Sequence, residues 1–357
     1  MSVLTPAAIT LIRGHAAEAE RRGELHPEIL TLIYEQQWFR MLAPRRFGGL
    51  ALPLPAVVRL EEQLSRADGS VGWTVTLCSG AGWFAGFFGP GIFDSLFTHP
   101  RMCIAGSGMP AGRAERLVGG GYRINGQWGY ASGGRHAMAF TANCVIWADG
   151  APVLEGGQPL VRPFLFLREE VRVLADWKPV GLVATGSHGF VVSGLEVPAE
   201  RCFVIDGVAA ADGSPLYRYP FLPLAEATLA VNSSGMALHF FECFERLFAA
   251  RAGRGHLGAA AVDVVQLLLE QTRRELDRVR EAFYTALDAS WDALATAEVG
   301  SFDAVSRASH ALAALARQGV DRLYPFAGLE AARVDSEISR VWRDLHTASQ
   351  HPLLAFS

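Results

Sequence analysis

The sequence predicts an α+β protein of three consecutive parts: a helical domain over residues 1–100, a β domain over 101–212 and a helical bundle over 213–357. Three observations predict it. Apolar residues recur at three-to-four spacing up to about Thr98 and again after Tyr219, whereas short β-branched and aromatic runs separated by glycine turns fill the span between. The helix, strand, helix order lacks βαβ alternation, which excludes a doubly wound dinucleotide fold. Half of the 357 residues are apolar and only 19% are charged, enough to bury a large core across two or three structural units.

Taken in order, Ile29, Leu30, Ile33, Tyr34 and Trp38, and then Val57, Val58, Leu60 and Leu64, mark helices on either side of a break at Pro44-Arg-Arg-Phe-Gly-Gly. Gly69 to Phe93 carries no charge over 25 residues, a length that could span a bilayer. Gly80, Gly82, Gly86, Gly89, Pro90 and Gly91 weaken it as a lone helix, so it reads as a buried core helix followed by a turn. The β domain shows strands around Tyr122–Ile124, Cys144–Trp147, Phe164–Leu167 and Phe190–Val192. Within it, Gly119-Gly-Gly-Tyr-Arg-Ile-Asn-Gly-Gln-Trp-Gly-Tyr-Ala-Ser-Gly-Gly predicts a hairpin turning at Asn125-Gly126. That hairpin delivers Trp128, Tyr130 and Ser132 to a Gly133-Gly134 corner where backbone amides can be approached closely, an arrangement suited to a planar cofactor or to an ordinary aromatic core. The C-terminal part reads as helices over Leu224–Phe248, Ala259–Leu294, Ala304–Leu315 and Ala331–Ser349, the second with alternating apolar and ion-pairing stripes.

Several functions are excluded by composition. A net charge of −4 gives no basic footprint for nucleic acid or an anionic membrane. Lys178, the only lysine, follows no glycine loop, and Gly106-Ser-Gly-Met-Pro-Ala-Gly lacks GxGxxG spacing, so phosphate cradling by either route is not expected. Five scattered cysteines without CxxC spacing argue against a disulfide framework or structural zinc and fit a reducing cytoplasm. Leu4 to Ile12 is apolar but has no basic region before it and no cleavage site, so a signal peptide is not expected. His136 and His188 have no metal-ligand spacing with another histidine or carboxylate, and no metal site is expected.

The Gly-Gly-Tyr-Arg-Ile-Asn-Gly-Gln-Trp-Gly-Tyr-Ala-Ser-Gly-Gly phrase resembles the segment that lines the flavin ring in acyl-CoA dehydrogenase-like flavoproteins, and its Ser-Gly variant is most similar to the two-component (group D) flavin-dependent monooxygenases. Leu42-Ala-Pro-Arg-Arg-Phe-Gly-Gly, Val180-Gly-Leu-Val-Ala-Thr-Gly-Ser-His through Val197-Pro, and Arg343-Asp-Leu-His with His351 agree in order and spacing, so the resemblance covers nearly the whole chain. It implies an N-terminal helical domain, a central β-barrel or sandwich and a C-terminal four-helix bundle. It also implies a homotetramer or dimer with reduced FMN or FAD at subunit boundaries, O2 and a small-molecule substrate as reactants, and a separate flavin reductase. Ser107, Trp128, Tyr130, Ser132 and Arg343 are the implied cofactor-binding residues.

The chemistry turns on the C-terminus. Dehydrogenases of this family use a carboxylate shortly after the Arg-Asp pair to remove an α-proton, but here the stretch reads Thr347-Ala-Ser-Gln-His-Pro, with no carboxylate after Asp344. A histidine suits the monooxygenase branch, in which a flavin C4a-hydroperoxide reacts with a phenol or amine activated by a base. His351 is the first candidate base and His346 the second, with Ser132 at the flavin edge. Their spacing of five keeps the two histidines off one helical face, so one is expected to point inward. Glu242 stands as an alternative base for an acyl-CoA dehydrogenase or oxidase. Ala81 occupies a helix position where many oxygenase relatives carry histidine, which leaves a catalytically reduced flavin-binding homologue as a third reading.

Overall fold

The computed structural model describes residues 4–89, 91, 94–207, 214–255, 257–294 and 300–355. Helix α1 (Pro6–Arg22) begins where the Thr5 side chain accepts the Ala8 N–H, with proline in the first turn, and ends at Gly23 in the left-handed region. Helix α2 (Pro27–Glu35) buries Ile29 and Ile33, and the predicted break follows as 3-10 turns at Trp38–Arg40 and Arg45–Phe47. Helices α3 (Leu54–Ala67) and α4 (Gly69–Trp83) meet at Asp68, whose carboxylate accepts the Val71 N–H at 3.0 Å and starts α4. A 3-10 turn at Phe84–Phe87 and the short α5 (Asp94–Phe97) complete this part. The uncharged stretch is therefore a buried helix of 15 residues followed by a turn. Among the described residues no helix is long and apolar enough to cross a membrane.

The strands are β1 (Ile104–Arg116), β2 (Tyr122–Ala131), β3 (Ala139–Ala148), β4 (Ala151–Pro152), β5 (Leu154–Glu155), β6 (Gln158–Pro159), β7 (Val161–Leu167), β8 (Arg172–Val173) and β9 (His188–Val197). A seven-stranded sheet runs in the order β4-β3-β1-β2-β9-β8, with β7 also pairing β3; β5 and β6 form a separate ribbon. Only the β1–β3 pair is parallel among the sheet's pairings.

One turn differs from the sequence reading. Asn125-Gly126 does not close a hairpin but lies within the single strand β2, which pairs with both β1 and β9. The hairpin turns instead at residues 117–121, where Gly120 and Gly121 take positive φ. Gly126 is used for close packing: a Cβ there would sit 2.5 Å from the Trp128 ring, and one at the facing Gly112 would sit 2.3 Å from it. The two glycines make the slot that the indole fills, and Asn125 accepts the Gly194 N–H at 2.7 Å on the neighbouring strand.

After the sheet come α6 (Pro215–Arg218), α7 (Phe221–Gly253), α8 (Ala259–Ala293), α9 (Gly300–Leu323), α10 (Glu337–Ala348) and the short α11 (Pro352–Ala355). The expected start at Ala331 is replaced by a 3-10 turn, because Ser336 caps α10 through the Ser339 N–H. Helix α7 packs against α3, α4, α9 and α10, so N- and C-terminal helices share one apolar core while the sheet encloses its own. The carboxylate of buried Glu62 receives Arg280 at 2.7 and 2.9 Å and the Tyr284 hydroxyl at 2.9 Å, with Ser234 completing the set, which ties α3 to α7 and α8.

Candidate functional site

Strand β2 changes direction at its end. Trp128 points inward and is fully buried, its ring stacked 5.1 Å from Phe190 and its Nε1 donating to the Asn143 carbonyl at 2.9 Å. Tyr130 adopts φ 65°, which turns its ring outward; it is 68% exposed and meets Trp177 edge-on at 6.1 Å. Ser132 then enters the interior. Its Oγ lies 2.8 Å from Ser187 Oγ, which lies 2.7 Å from Thr185 Oγ1, and Thr185 donates to the Leu182 carbonyl at 2.7 Å. Because Thr185 spends its hydroxyl hydrogen on the Leu182 carbonyl, Ser187 donates to Thr185 and Ser132 to Ser187, a chain of three buried hydroxyls that leaves the Ser132 oxygen able to accept at a cofactor edge. The Gly133 amide donates to the Thr185 carbonyl at 3.0 Å and fixes the corner. Gly133 has φ 73°, and a Cβ there would lie 2.7 Å from Cys78 Sγ.

Ser107 is half-buried in β1 immediately before a bulge, since Ser107 opposes Ala142 but Gly112 already opposes Cys144. The strand continues past Ser107 to Arg116. An added Cβ at Gly108 or at Gly129 would meet nothing within 4 Å. Beside Ser107 and Tyr130 the backbone is therefore open to a flat ligand, which is the fit a flavin ring requires.

The two candidate histidines part company. His346 stacks on Trp342 at 4.0 Å, and its ring nitrogens meet Asp321 Oδ1 at 2.8 Å and the Trp342 carbonyl at 2.7 Å, so both are engaged within the helical layer. His351 lies past the end of α10, packed edge-on against Trp73 of α4 at 5.9 Å. Burial pulls its pKa below the ordinary histidine value, so the ring is neutral near pH 7. Its Nδ1 accepts the Leu353 N–H over a long 3.3 Å, which leaves the hydrogen of the neutral ring on Nε2. Helix α4 therefore touches both ends of the site, Trp73 against His351 and Cys78 against the Ser132–Gly133 corner, five residues or about 7.5 Å apart along its axis.

Arg343 and Trp128 occupy structural positions. Arg343 donates to Glu20, to the Val180 carbonyl at 2.8 Å and to the Val334 carbonyl at 2.9 Å, so its terminal nitrogens clamp three segments together. Trp128 faces the interior of the sheet domain, not the open backbone at Gly129. Burial alone would raise the Glu242 carboxyl, but hydrogen bonds from Arg13 at 2.8 Å and Arg66 at 2.6 Å outweigh it and hold it below the usual range. Glu242 is an ion-pair partner and a poor proton acceptor. Ala81 sits in an apolar cluster with Phe47, Ala85, Phe88 and Met102.

Residues 8–87 match the acyl-CoA dehydrogenase N-terminal domain and residues 227–356 the acyl-CoA dehydrogenase C-terminal domain. A pigment production hydroxylase of a Rhodococcus species is 30% identical over 349 residues, covering 94% of this chain and 87% of that protein. The chain belongs to the acyl-CoA dehydrogenase-like flavoprotein family. Its similarity runs to the monooxygenase branch: the oxygenase subunit of the flavin-dependent monooxygenase HsaA from Mycobacterium tuberculosis is 26% identical over 355 residues, covering 95% of this chain and 88% of that protein. The crystal structure of the HsaA monooxygenase from that organism superposes with a TM-score of 0.88 at 23% identity, covering 97% of this chain and 92% of that one. XiaF from a Streptomyces species, solved with FADH2 and glycerol, superposes at 0.84 and 22% identity, covering 97% and 89%.

Within this flavoprotein, sequence reasoning missed Ser187 and Thr185 as the partners of Ser132. Both lie in the family-like Thr-Gly-Ser-His stretch, and hydroxyls spaced two apart across a glycine were the available signal. It also missed that Asp344 is buried against the Leu182 amide at 2.5 Å.

Proposed function

We infer that the protein is a flavin-dependent monooxygenase that takes reduced FMN or FAD from a separate reductase and inserts one atom of O2 into a small aromatic or heteroatom-bearing substrate. The observation that carries the reading is the character of the C-terminal arm, where a neutral, half-buried imidazole at His351 stands in place of a carboxylate, while Glu242 is held by two arginines. Reduced flavin, when bound, supplies the electrons that activate oxygen. Ser132, backed by Ser187 and Thr185, is suited to hydrogen-bond the flavin edge, and the open backbone beside Ser107 and Tyr130 to admit the ring. His351 is the group we assign to take a substrate proton, through Nδ1 once the weak Leu353 contact is released, with Trp73 packed against its ring.

The test is anaerobic titration of photoreduced FMN and FAD, followed by admission of isotopically labelled O2 with a panel of phenols and indoles. Saturable binding of reduced flavin and label in an organic product are expected. Consumption of the flavin with hydrogen peroxide as the sole product across the panel, or no binding of reduced flavin, would overturn the reading.

A further inference from the structure

Behind the Ser132–Gly133 corner, three ligating side chains from distant parts of the chain converge: Cys78 on α4, Cys103 just before β1, and His136 in the turn after Gly134. Their two sulfurs and one ring nitrogen all lie within 4.8 Å of one another, and both cysteines are free and buried. No sequence spacing announces the cluster, because the fold assembles it from positions 25 and more residues apart. His136 Nε2 is buried without a hydrogen-bond partner, although its ring stacks on Phe39 at 5.3 Å. An imidazole nitrogen so placed, facing two sulfur atoms, can turn its lone pair on a cation held between them.

Two other groups of this kind are accounted for by their own ion pairs. His239, Cys243 and Glu337 surround Arg246, which donates to Glu337 at 2.6 Å and to Cys243 at 3.3 Å. His15, Glu18 and His26 lie nearer the surface, with the imidazoles stacked at 3.8 Å and Glu18 paired with Arg22. Among the described residues no arginine hydrogen bond to Cys78 or Cys103 is found, and Arg101 is engaged over the Tyr34 ring at 5.1 Å. A cavity of about 310 Å³ lined by Tyr34, His99, Arg101, His136 and Met138 reaches the cluster from outside.

We propose that Cys78, Cys103 and His136 form a binding site for a thiophilic divalent cation, Zn2+ foremost, with the fourth coordination position open toward the Tyr34 cavity. Two thiolates and one neutral imidazole are a donor set that selects zinc over magnesium or calcium, and three protein ligands leave one position for water. Binding releases the thiol protons, so affinity rises with pH. The ion would pin α4 to the segment before β1 and to the turn after Gly134, replacing the hydrogen bond that the Cys78 thiol donates to the Ser132 carbonyl at 3.5 Å.

The experiment titrates the reduced, metal-free full-length protein with Co2+ as a spectroscopic probe. One equivalent per chain is expected to give thiolate charge-transfer and tetrahedral ligand-field bands, displaced by Zn2+. Cys78→Ser and Cys103→Ser should each abolish the charge-transfer intensity, and His136→Gln should raise the Kd at least tenfold. Native-state alkylation of the wild type keeps the question open to decision if a variant fails to fold: Zn2+ should slow labelling of Cys78 and Cys103 at least tenfold while leaving Cys144, Cys202 and Cys243 unchanged. Absence of saturable Co2+ binding, bands that persist in both cysteine variants, or equal labelling rates with and without Zn2+ would overturn the assignment.

Discussion

Asp344 offers the sharpest test of how the C-terminal helix is anchored. Its Oδ1 accepts the Leu182 N–H at 2.5 Å, and the side chain is buried beside Asp68, with Arg340 Nε 3.8 Å from Asp68 Oδ2. Burial, reinforced by the Asp68 charge, raises the Asp344 carboxyl from 3.8 to about 8. The sign follows from proton counting. In the unfolded chain the group releases its proton near pH 4, and in the folded protein near 8, so between those values unfolding releases a proton and stability falls as pH rises. The full effect at pH 7 is about 3 pH units at about 1.4 kcal/mol each, or about 4 kcal/mol. Asp344→Asn keeps the acceptor for Leu182 and cannot ionise. Its stability should therefore match the wild type below about pH 4 and exceed it by an amount that grows to about 4 kcal/mol near neutrality, read from urea or thermal unfolding across that range. A difference between variant and wild type that does not change with pH would refute the reasoning, because a lost contact alone has no such slope.

Other expected outcomes separate chemistry from scaffold. Ser132→Ala should cost about 1 kcal/mol of stability by breaking the hydroxyl chain and should weaken binding of reduced flavin in a fluorescence titration. His351→Ala should lower product formation at least tenfold with little change in flavin affinity, and the acid limb of the wild-type profile should lie below pH 6.5 because burial depresses that imidazole. His346→Ala should do the reverse, leaving turnover per folded protein intact while lowering the melting temperature through loss of Asp321 and the Trp342 stack. Gly133→Ala should destabilise by roughly 2 kcal/mol or more, from positive φ together with contact on Cys78 Sγ, seen as loss of soluble protein or a lower melting temperature.

Much of the architecture was legible because periodicity reports burial. The long C-terminal helices follow from apolar spacing, the buried α4 from its lack of charge, and the β region from its change of character. Asn125-Gly126 misled because the dipeptide that favours a tight turn equally suits a strand position pressed against an indole, and only Gly112, which faces Gly126 from fourteen residues earlier, decides between them. Arg343 looked like a cofactor contact by position in its motif, but Glu20, more than three hundred residues earlier, claims its guanidinium. The Cys78, Cys103 and His136 cluster could not be read from spacing at all, since tertiary packing alone brings those atoms together.

The absence of charge along α4 has a mechanical reason that links these observations. Its start is fixed by Asp68, which sits against the Asp344 pocket; one turn on, Trp73 backs His351; two turns on, Cys78 backs the Ser132–Gly133 corner; and Ala81 seals the far end among phenylalanines. All but Leu77 and Gly80 of its 15 residues are buried, so almost no position is free for a solvated side chain. A charge introduced at Val75 or Cys78 would be stranded without a partner, costing several kcal/mol. One rigid helix thus sets the spacing between the imidazole and the hydroxyl chain, and a shift at either end would be transmitted to the other.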